Sequence, residues 1–382
     1  CICPTGRLYL CLPLIYLLTV IPLLYLLVQV LQLLVLYRYR SSMQPEPEQW
    51  PEISIMVAAR DEEAHIAACL QSLYALDYPK DKLHILIGND QSTDRTAEIA
   101  STFIADKPNF RLIQIVDTAL PLKAKARVMA QLDPHAQGDF YLITDADVQV
   151  PPSWAKGLLR RFTPETGVVS GTTMVQGAGG NAKNQEIDWA YFMGLLNIIS
   201  YSGVPATAVG NNMAVRATAY WQTGGYAAIR FSITEDYKLY QEICRHGWKW
   251  DNIMAADVLA YTEAVSSQSQ LLHQRKRWLS GGTELPWYWW LLFGVFGLFY
   301  ICLPLLILLQ PVTALYIWLL KWTLQSMQIV RIYQLLGLRA PSLLHLLRYE
   351  LYLSVLTPAT ALFFLLPLPT NWKGRMYRGA KG

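Results

Sequence analysis

Charge is missing from long parts of this 382-residue chain, and those gaps organise it. From Leu8 to Tyr37 there is no Asp, Glu, Lys, Arg or His. That run is long enough to cross a hydrocarbon core of about 30 Å as a helix. It exceeds the apolar region of a signal peptide and ends in Arg38 and Arg40 without a small-residue cleavage site, so a membrane span is the preferred reading. Trp287 to Leu320 and Leu351 to Pro369 are likewise uncharged, whereas all but one of the 28 acidic residues lie between Glu46 and Glu284, the exception being Glu350. With 53% hydrophobic residues and a mean hydropathy of +0.22, the chain is too apolar for an ordinary soluble protein.

Other absences narrow the function. The six cysteines form no CxxC pair with histidines at zinc spacing, which excludes a zinc module and a disulfide framework. Basic residues gather at the edges of the apolar runs rather than on a segment interleaved with aromatics, and the net charge is only +4, so nucleic acid is not an expected partner. No internal repeat or low-complexity tract is present.

What remains is one water-soluble block between membrane segments. The expected organisation is a span at 8–37, a linker at 38–52, a water-soluble α/β block at 53–284, a membrane region of two or three spans at 285–370, and a basic tail at 371–382. Within 311–338, Lys321, Gln325, Gln328 and Arg331 form a polar stripe suited to a bundle interior or an interface. A basic tail on the same side as Arg38 and Arg40 requires an even number of C-terminal spans, which favours two with an interfacial middle segment. Arg38, Arg40 and Arg275-Lys276-Arg277 predict that the block faces the cytoplasm, and a bacterial inner membrane is the expected location.

The block alternates β-rich runs with helical stretches, the pattern of a mostly parallel α/β sheet. Strands are predicted at Ile53–Ala58, Leu83–Gly88, Arg111–Val116 and Phe140–Thr144, and further ones at Gly167–Thr173 and Val258–Thr262. Helices are predicted at Glu62–Tyr74, Asp94–Ile104, Lys123–Leu132 and Tyr237–Arg245. Ligands collect at the carboxyl ends of strands in such sheets. Arg60-Asp61-Glu62, Asn89-Asp90 and Asp145-Ala146-Asp147 all fall there.

Two carboxylates one residue apart, pointing to one side of an extended segment, suit a hard divalent ion completed by substrate phosphates. Asp145 and Asp147 are therefore the candidate ligands for Mg²⁺ or Mn²⁺. Asp90 is placed to accept from the N3 hydrogen of a uracil, with Arg60 and Glu62 nearby. Lys123 or Lys125 can balance phosphate charge, and Lys123 is the chosen candidate. Asp236, preceded by Glu235, is the candidate base for an acceptor hydroxyl. Gln274-x-x-Arg277-Trp278 offers a guanidinium for a diphosphate and a flat wall for a sugar ring; Lys, Arg and Trp also favour membrane interfaces. Gly210-Asn211-Asn212 is a polar turn on the expected acceptor side.

These residues in this order resemble the membrane-bound family 2 glycosyltransferases with a QxxRW motif, over about residues 53–282. The resemblance implies a GT-A fold with Asp90 at the nucleotide base, Asp145 and Asp147 at metal and diphosphate, Asp236 as base, and Gln274, Arg277 and Trp278 at the acceptor or pyrophosphate end. Asn89, Asp61 and Leu122 depart from the residues usual at their positions in that family. The ending Trp372-Lys373-Gly374-Arg375-Met376-Tyr377 looks like the tail of small members that glycosylate lipids or carotenoids. The resulting expectation is an inverting, metal-dependent transfer from a nucleotide-diphosphate sugar, UDP-linked by preference, to a lipid or glycan acceptor at the membrane. Single transfer is favoured over a processive polysaccharide synthase because few spans are available for a secretion channel. An inactive membrane scaffold is the rival of another class, and the complete acidic set argues against it.

Overall fold

The computed structural model describes residues 8–117, 122–282, 285–372 and 375–377. The chain opens with helix α1 (Leu8–Arg38), and the α/β unit follows. Its elements are β1 (Ile53–Ala59), α2 (Ile66–Tyr74), β2 (Leu83–Asn89), α3 (Thr96–Ile104), β3 (Phe110–Gln114), α4 (Ala124–Leu132), β4 (Phe140–Asp145), β5 (Val148–Gln149) and α5 (Trp154–Leu159). They continue with β6 (Thr166–Ser170), β7 (Thr173–Gln176), α6 (Gly179–Tyr201), β8 (Asn212–Arg216), α7 (Ala217–Gln222), α8 (Gly225–Ala228), α9 (Glu235–Arg245), β9 (Lys249–Asn252) and β10 (Ala260–Glu263). The remainder is helical: α10 (Gln268–Gly282), α11 (Trp287–Leu309), α12 (Pro311–Leu335) and α13 (Leu343–Leu365), closed by a hairpin of β11 (Thr370–Trp372) and β12 (Arg375–Tyr377).

The chain divides into two compact units, an α/β unit around Tyr39–Val265 and a helical unit containing α1 and most of the chain from Ser266 onward. The α/β unit holds a seven-stranded sheet in the order β3-β2-β1-β4-β8-β6-β9. β1, β2, β3 and β4 pair in parallel, and β8 runs antiparallel between β4 and β6. A second sheet, β5-β10-β7, accompanies it. The β1 and β4 strands are apolar and almost wholly buried, as expected for parallel strands covered on both faces. Ile55, Val57, Ile85, Ile87 and Leu142 form the centre of the core together with Ile66, Leu70 and Trp154.

Register decides where the polar strand ends fall. Ala58 pairs with Asp145 and Ala59 with Asn89, so the carboxyl ends of β1, β2 and β4 lie side by side. Gly88, near the end of β2, lets α4 approach closely: a Cβ there would lie 2.4 Å from Val128 Cγ1. Helix α4 thus lies directly against the strand ends and carries its cations to them.

Three differences from the predicted elements have physical causes. Helix α2 begins at Ile66 rather than Glu62, because residues 63–65 form a turn and His65, at the N-cap, departs from helical dihedrals (φ −121°). The strand β4 stops at Asp145 and the chain turns at Ala146–Asp147, so the two aspartates do not share one extended segment. The predicted strand 167–173 is two strands, β6 and β7, belonging to different sheets.

In the helical unit, α1 packs along α11, with Tyr25 and Phe299 ring centroids 4.6 Å apart. Among the described residues, two segments, Ile15–Arg38 and Trp287–Leu309, are long and apolar enough to cross a membrane. The polar stripe of α12 faces inward: Lys321, Gln325 and Gln328 are all at most 1% exposed, and Gln328 donates to the Gln29 carbonyl at 2.8 Å. The basic tail lies largely outside the described residues.

Candidate active site

The nucleotide end is built from the tips of β1 and β2. Asp90 is 3% exposed, its backbone N–H donates to the Ala59 carbonyl at 2.8 Å, and its carboxylate accepts from Arg127 Nη2 at 2.5 Å. Arg127, on α4, also pairs with Asp117 and so ties the tip of β2 to the β3–α4 connection. Arg60 donates from Nη1 to the Asp90 carbonyl at 2.9 Å. Asp61 Oδ1 accepts from both the backbone N–H and the hydroxyl of Thr93. The segment 92–94 braces the site without a direct side-chain cap on α3, although Asp94 Oδ1 accepts from Thr96 N–H at 2.9 Å. Left-handed backbone at Asp61, Gln91 and Ala124 (φ 50–56°) concentrates around this end, a clustering typical of functional loops held by their surroundings.

The acidic end gathers carboxylates from β4, the turn after it and α9. Cys69, wholly buried, lies near three carboxylates: burial pushes its thiol up, and Asp147, Asp145 and Glu62 push it further in the same direction. Glu62 is 5% exposed and its carboxylate lies 3.2 Å from His65 Nδ1. Asp236, in the first turn of α9, accepts from Gly210 N–H through Oδ2 at 2.8 Å and from Tyr237 N–H through Oδ1 at 2.8 Å. Gly210 admits no side chain, since a Cβ would lie 2.7 Å from Asp236 Cβ.

One cation joins the two sides. Lys125 Nζ donates to Asp145 Oδ1 at 2.5 Å and to the Gly210 carbonyl at 2.7 Å. Burial opposes its charge, but Asp145, Glu235 and Asp236 outweigh that and hold its pKa above the usual lysine value. A continuous path therefore runs Asp145, Lys125, Gly210, Asp236. Lys123, the residue chosen from sequence, stands exposed at the N-cap of α4 in extended conformation. Between the two, Ala124 is left-handed (φ 50°), and that bend separates Lys123 from the α4 face bearing Lys125.

Asn212 proves structural rather than a lining residue of the acceptor side. It is fully buried, its Oδ1 accepts from Trp154 Nε1 at 2.8 Å, and its Nδ2 donates to the carbonyls of Thr172 and Val258. Sequence reading also missed Tyr226, which is 2% exposed on α8. Burial first, then Glu235, Asp236, Asp133 and Asp145, raise its hydroxyl pKa, so it stays protonated beside the acidic end.

Gln274, Arg277 and Trp278 lie on α10, which belongs to the helical unit. There the Arg275 guanidinium sits 4.7 Å from the Trp278 ring centroid, and Lys276 donates to the carbonyls of Phe363 and Leu366 at 3.0 and 2.6 Å. Lys276 thereby satisfies carbonyls at the end of α13, a role the sequence pattern did not reveal.

Beneath the site, Asp133 is 4% exposed and faces the Tyr220 hydroxyl and the Tyr226 backbone N–H. Burial raises its pKa to about 7, against the lowering effect of those hydrogen bonds. A carboxyl whose folded pKa is raised binds its proton more tightly when folded, so its contribution to stability declines as pH rises from about 4 to about 7. The loss is on the order of 4 kcal/mol at neutral pH. Unfolding midpoints of Asp133→Asn are expected to vary less across this window than those of the wild type, and to exceed them at pH 8. Parallel curves for the two proteins would show that Asp133 ionises normally.

A mixed, mainly parallel sheet with a carboxylate crevice at its strand ends is the GT-A architecture of nucleotide-sugar-dependent transferases. The sequence matches the model of glycosyl transferase family 21 over residues 14–379. The chain belongs to that family, which is part of the wider family 2 clan. A beta-monoglucosyldiacylglycerol synthase of Synechocystis sp. is 31% identical over 244 residues, covering 62% of this chain and 48% of the relative. A poly-beta-1,6-N-acetyl-D-glucosamine synthase of Staphylococcus epidermidis is 24% identical over 249 residues, covering 63% and 57%. The chain thus spans about half the length of the curated relatives it matches. Among solved structures, a mannosyltransferase of Pyrobaculum calidifontis in complex with GDP-Man and Mn2+ superposes with a TM-score of 0.57 at 18% identity, over 93% of this chain and 97% of that one.

Proposed function

We propose that this protein is an inverting, metal-dependent glycosyltransferase that moves one sugar from a nucleoside-diphosphate donor, UDP-linked by preference, to a lipid hydroxyl at a membrane. The observation carrying this reading is the path from Asp145 through Lys125 and Gly210 to Asp236, which links a diphosphate-facing carboxylate to a carboxylate suited to deprotonating an acceptor. The diacylglycerol-directed relatives support the lipid acceptor.

In this reading Arg60, Glu62, Asp90 and Lys123 serve the nucleotide sugar. Arg127 holds the Asp90 carboxylate to receive the N–H edge of the base. Asp145 and Asp147 fit Mg²⁺ or Mn²⁺ by their chemistry: both are hard oxygen donors and both are partly solvent-accessible. Among the described residues no three His, Cys, Asp or Glu side chains gather as a complete metal site. Two carboxylates leave the rest of the coordination to substrate phosphates and water, as is usual for Mg²⁺. The ion, when bound, supplies charge for the leaving diphosphate. Asp236 takes the acceptor proton while two backbone N–H groups hold it in place. Glu235, Gln274, Arg277 and Trp278 are assigned to the acceptor and diphosphate end.

In this reading helices α1 and α11 anchor the protein, and the basic residues Arg38, Arg40 and 275–277 favour a cytoplasmic catalytic unit at a bacterial inner membrane. Membranes containing the protein are expected to release nucleoside diphosphate from one nucleotide sugar when diacylglycerol is added, and EDTA is expected to stop it. A single glycolipid should appear by chromatography. A ladder of products would favour the processive alternative, and no turnover of any donor with any lipid extract would favour the scaffold.

A further inference from the structure

Lys125 occupies a place that the proposed reaction needs for other cations. Its ammonium lies 2.5 Å from Asp145 Oδ1 and 2.7 Å from the Gly210 carbonyl, while the Gly210 N–H holds Asp236. The side chain is 16% exposed, so it is a lodged charge rather than a surface lysine that drifts in. Asp145, at 35%, is accessible to solvent.

We infer that Lys125 competes with a divalent ion for Asp145, and that it makes metal binding conditional on the nucleotide. The inference rests on the glycosyltransferase reading above. A divalent ion arriving alone at Asp145 meets an ammonium already bonded to the same carboxylate, and two cations that close repel. A diphosphate brings enough negative charge for both. Lys125 then swings its flexible four-carbon stem from Asp145 to a phosphate oxygen, leaving Asp145 to the metal. No bond is made or broken, and no proton moves. The departure also removes the hydrogen bond on the Gly210 carbonyl, so the loop holding Asp236 senses whether the donor site is filled.

Such coupling is reciprocal: nucleotide must tighten metal by the same factor as metal tightens nucleotide. The test is Mn²⁺ binding by the full chain in detergent, followed by the loss of the free-ion resonance signal, with and without UDP or GDP. Wild type is expected to bind Mn²⁺ at least about tenfold more tightly with nucleotide present. Lys125→Met is expected to bind Mn²⁺ alone about tenfold more tightly than wild type, shrinking the difference that nucleotide makes. Lys125→Arg should keep the wild-type pattern, and Lys249→Met, an exposed lysine paired with Glu165, should not alter it. Equal Mn²⁺ affinity of nucleotide-free wild type and Lys125→Met overturns the role of Lys125 alone. Should the variant not fold, wild type decides: Mn²⁺ bound equally well with and without nucleotide overturns the inference. Failure of wild type to bind Mn²⁺ with either nucleotide overturns the metal-dependent reading itself, and the inference with it.

Discussion

Asp236→Asn is expected to lower the rate of sugar transfer by about a hundred- to ten-thousand-fold, the range for loss of a general base. Nucleoside-diphosphate affinity should stay within about threefold, because the substitution removes the charge that must accept a proton but little of the packing. Asn can still accept one hydrogen bond through its amide oxygen, so either the Gly210 N–H or the Tyr237 N–H keeps its partner. The loss should thus fall on turnover rather than on binding. Diphosphate release at saturating donor and acceptor, beside calorimetry of diphosphate binding, separates the two. An Asn variant within about tenfold of wild-type turnover would remove Asp236 from the role, and the same measurement on Glu235→Gln would show whether its neighbour in the first turn of α9 holds it instead. A wild-type rate in both variants would leave the proton without an acceptor on this helix.

The parallel half of the sheet was legible because its strands are buried on both faces and read as continuous apolar runs. Observed β1, β2 and β4 each begin where predicted and extend only one residue further. The remainder depends on partners distant in sequence. Strands β5, β7 and β10 are two to four residues long and become a sheet only by pairing across 87 to 114 residues. The site was legible as a set of acids at strand ends, a rule of the fold. It was less legible in its cations, because that choice rests on backbone: a left-handed Ala124 decides that Lys125 rather than Lys123 meets Asp145. Asn212 shows the converse limit, since a polar residue beside a site looks functional in a sequence and only its three internal hydrogen bonds reveal a core role.

The largest stability effect is expected in the helical unit, at the ion pair between Lys321 on α12 and Glu350 on α13. Glu350 is the one acidic residue of the chain outside its central block, and the pair explains why it is tolerated there. Both side chains are 0% exposed, they are directly paired, and Lys321 also donates to the Tyr300 hydroxyl at 3.0 Å on α11. The pair therefore fastens three helices at one point. Taking two charges out of water is costly, so the pair adds little net stability compared with an apolar pair of equal volume. Removing one partner is different, because the other charge is then left buried alone. Lys321→Met is expected to destabilise the unit by about 3–5 kcal/mol, and Glu350→Leu by a similar amount. The double variant should recover most of the loss or exceed wild type. Unfolding midpoints in detergent for the four proteins give the coupling directly. Additive losses would show the charges to be independent, with Lys321 held by Tyr300 rather than by Glu350. Recovery in the double variant would show that the cost of either single change is the uncompensated charge it leaves buried.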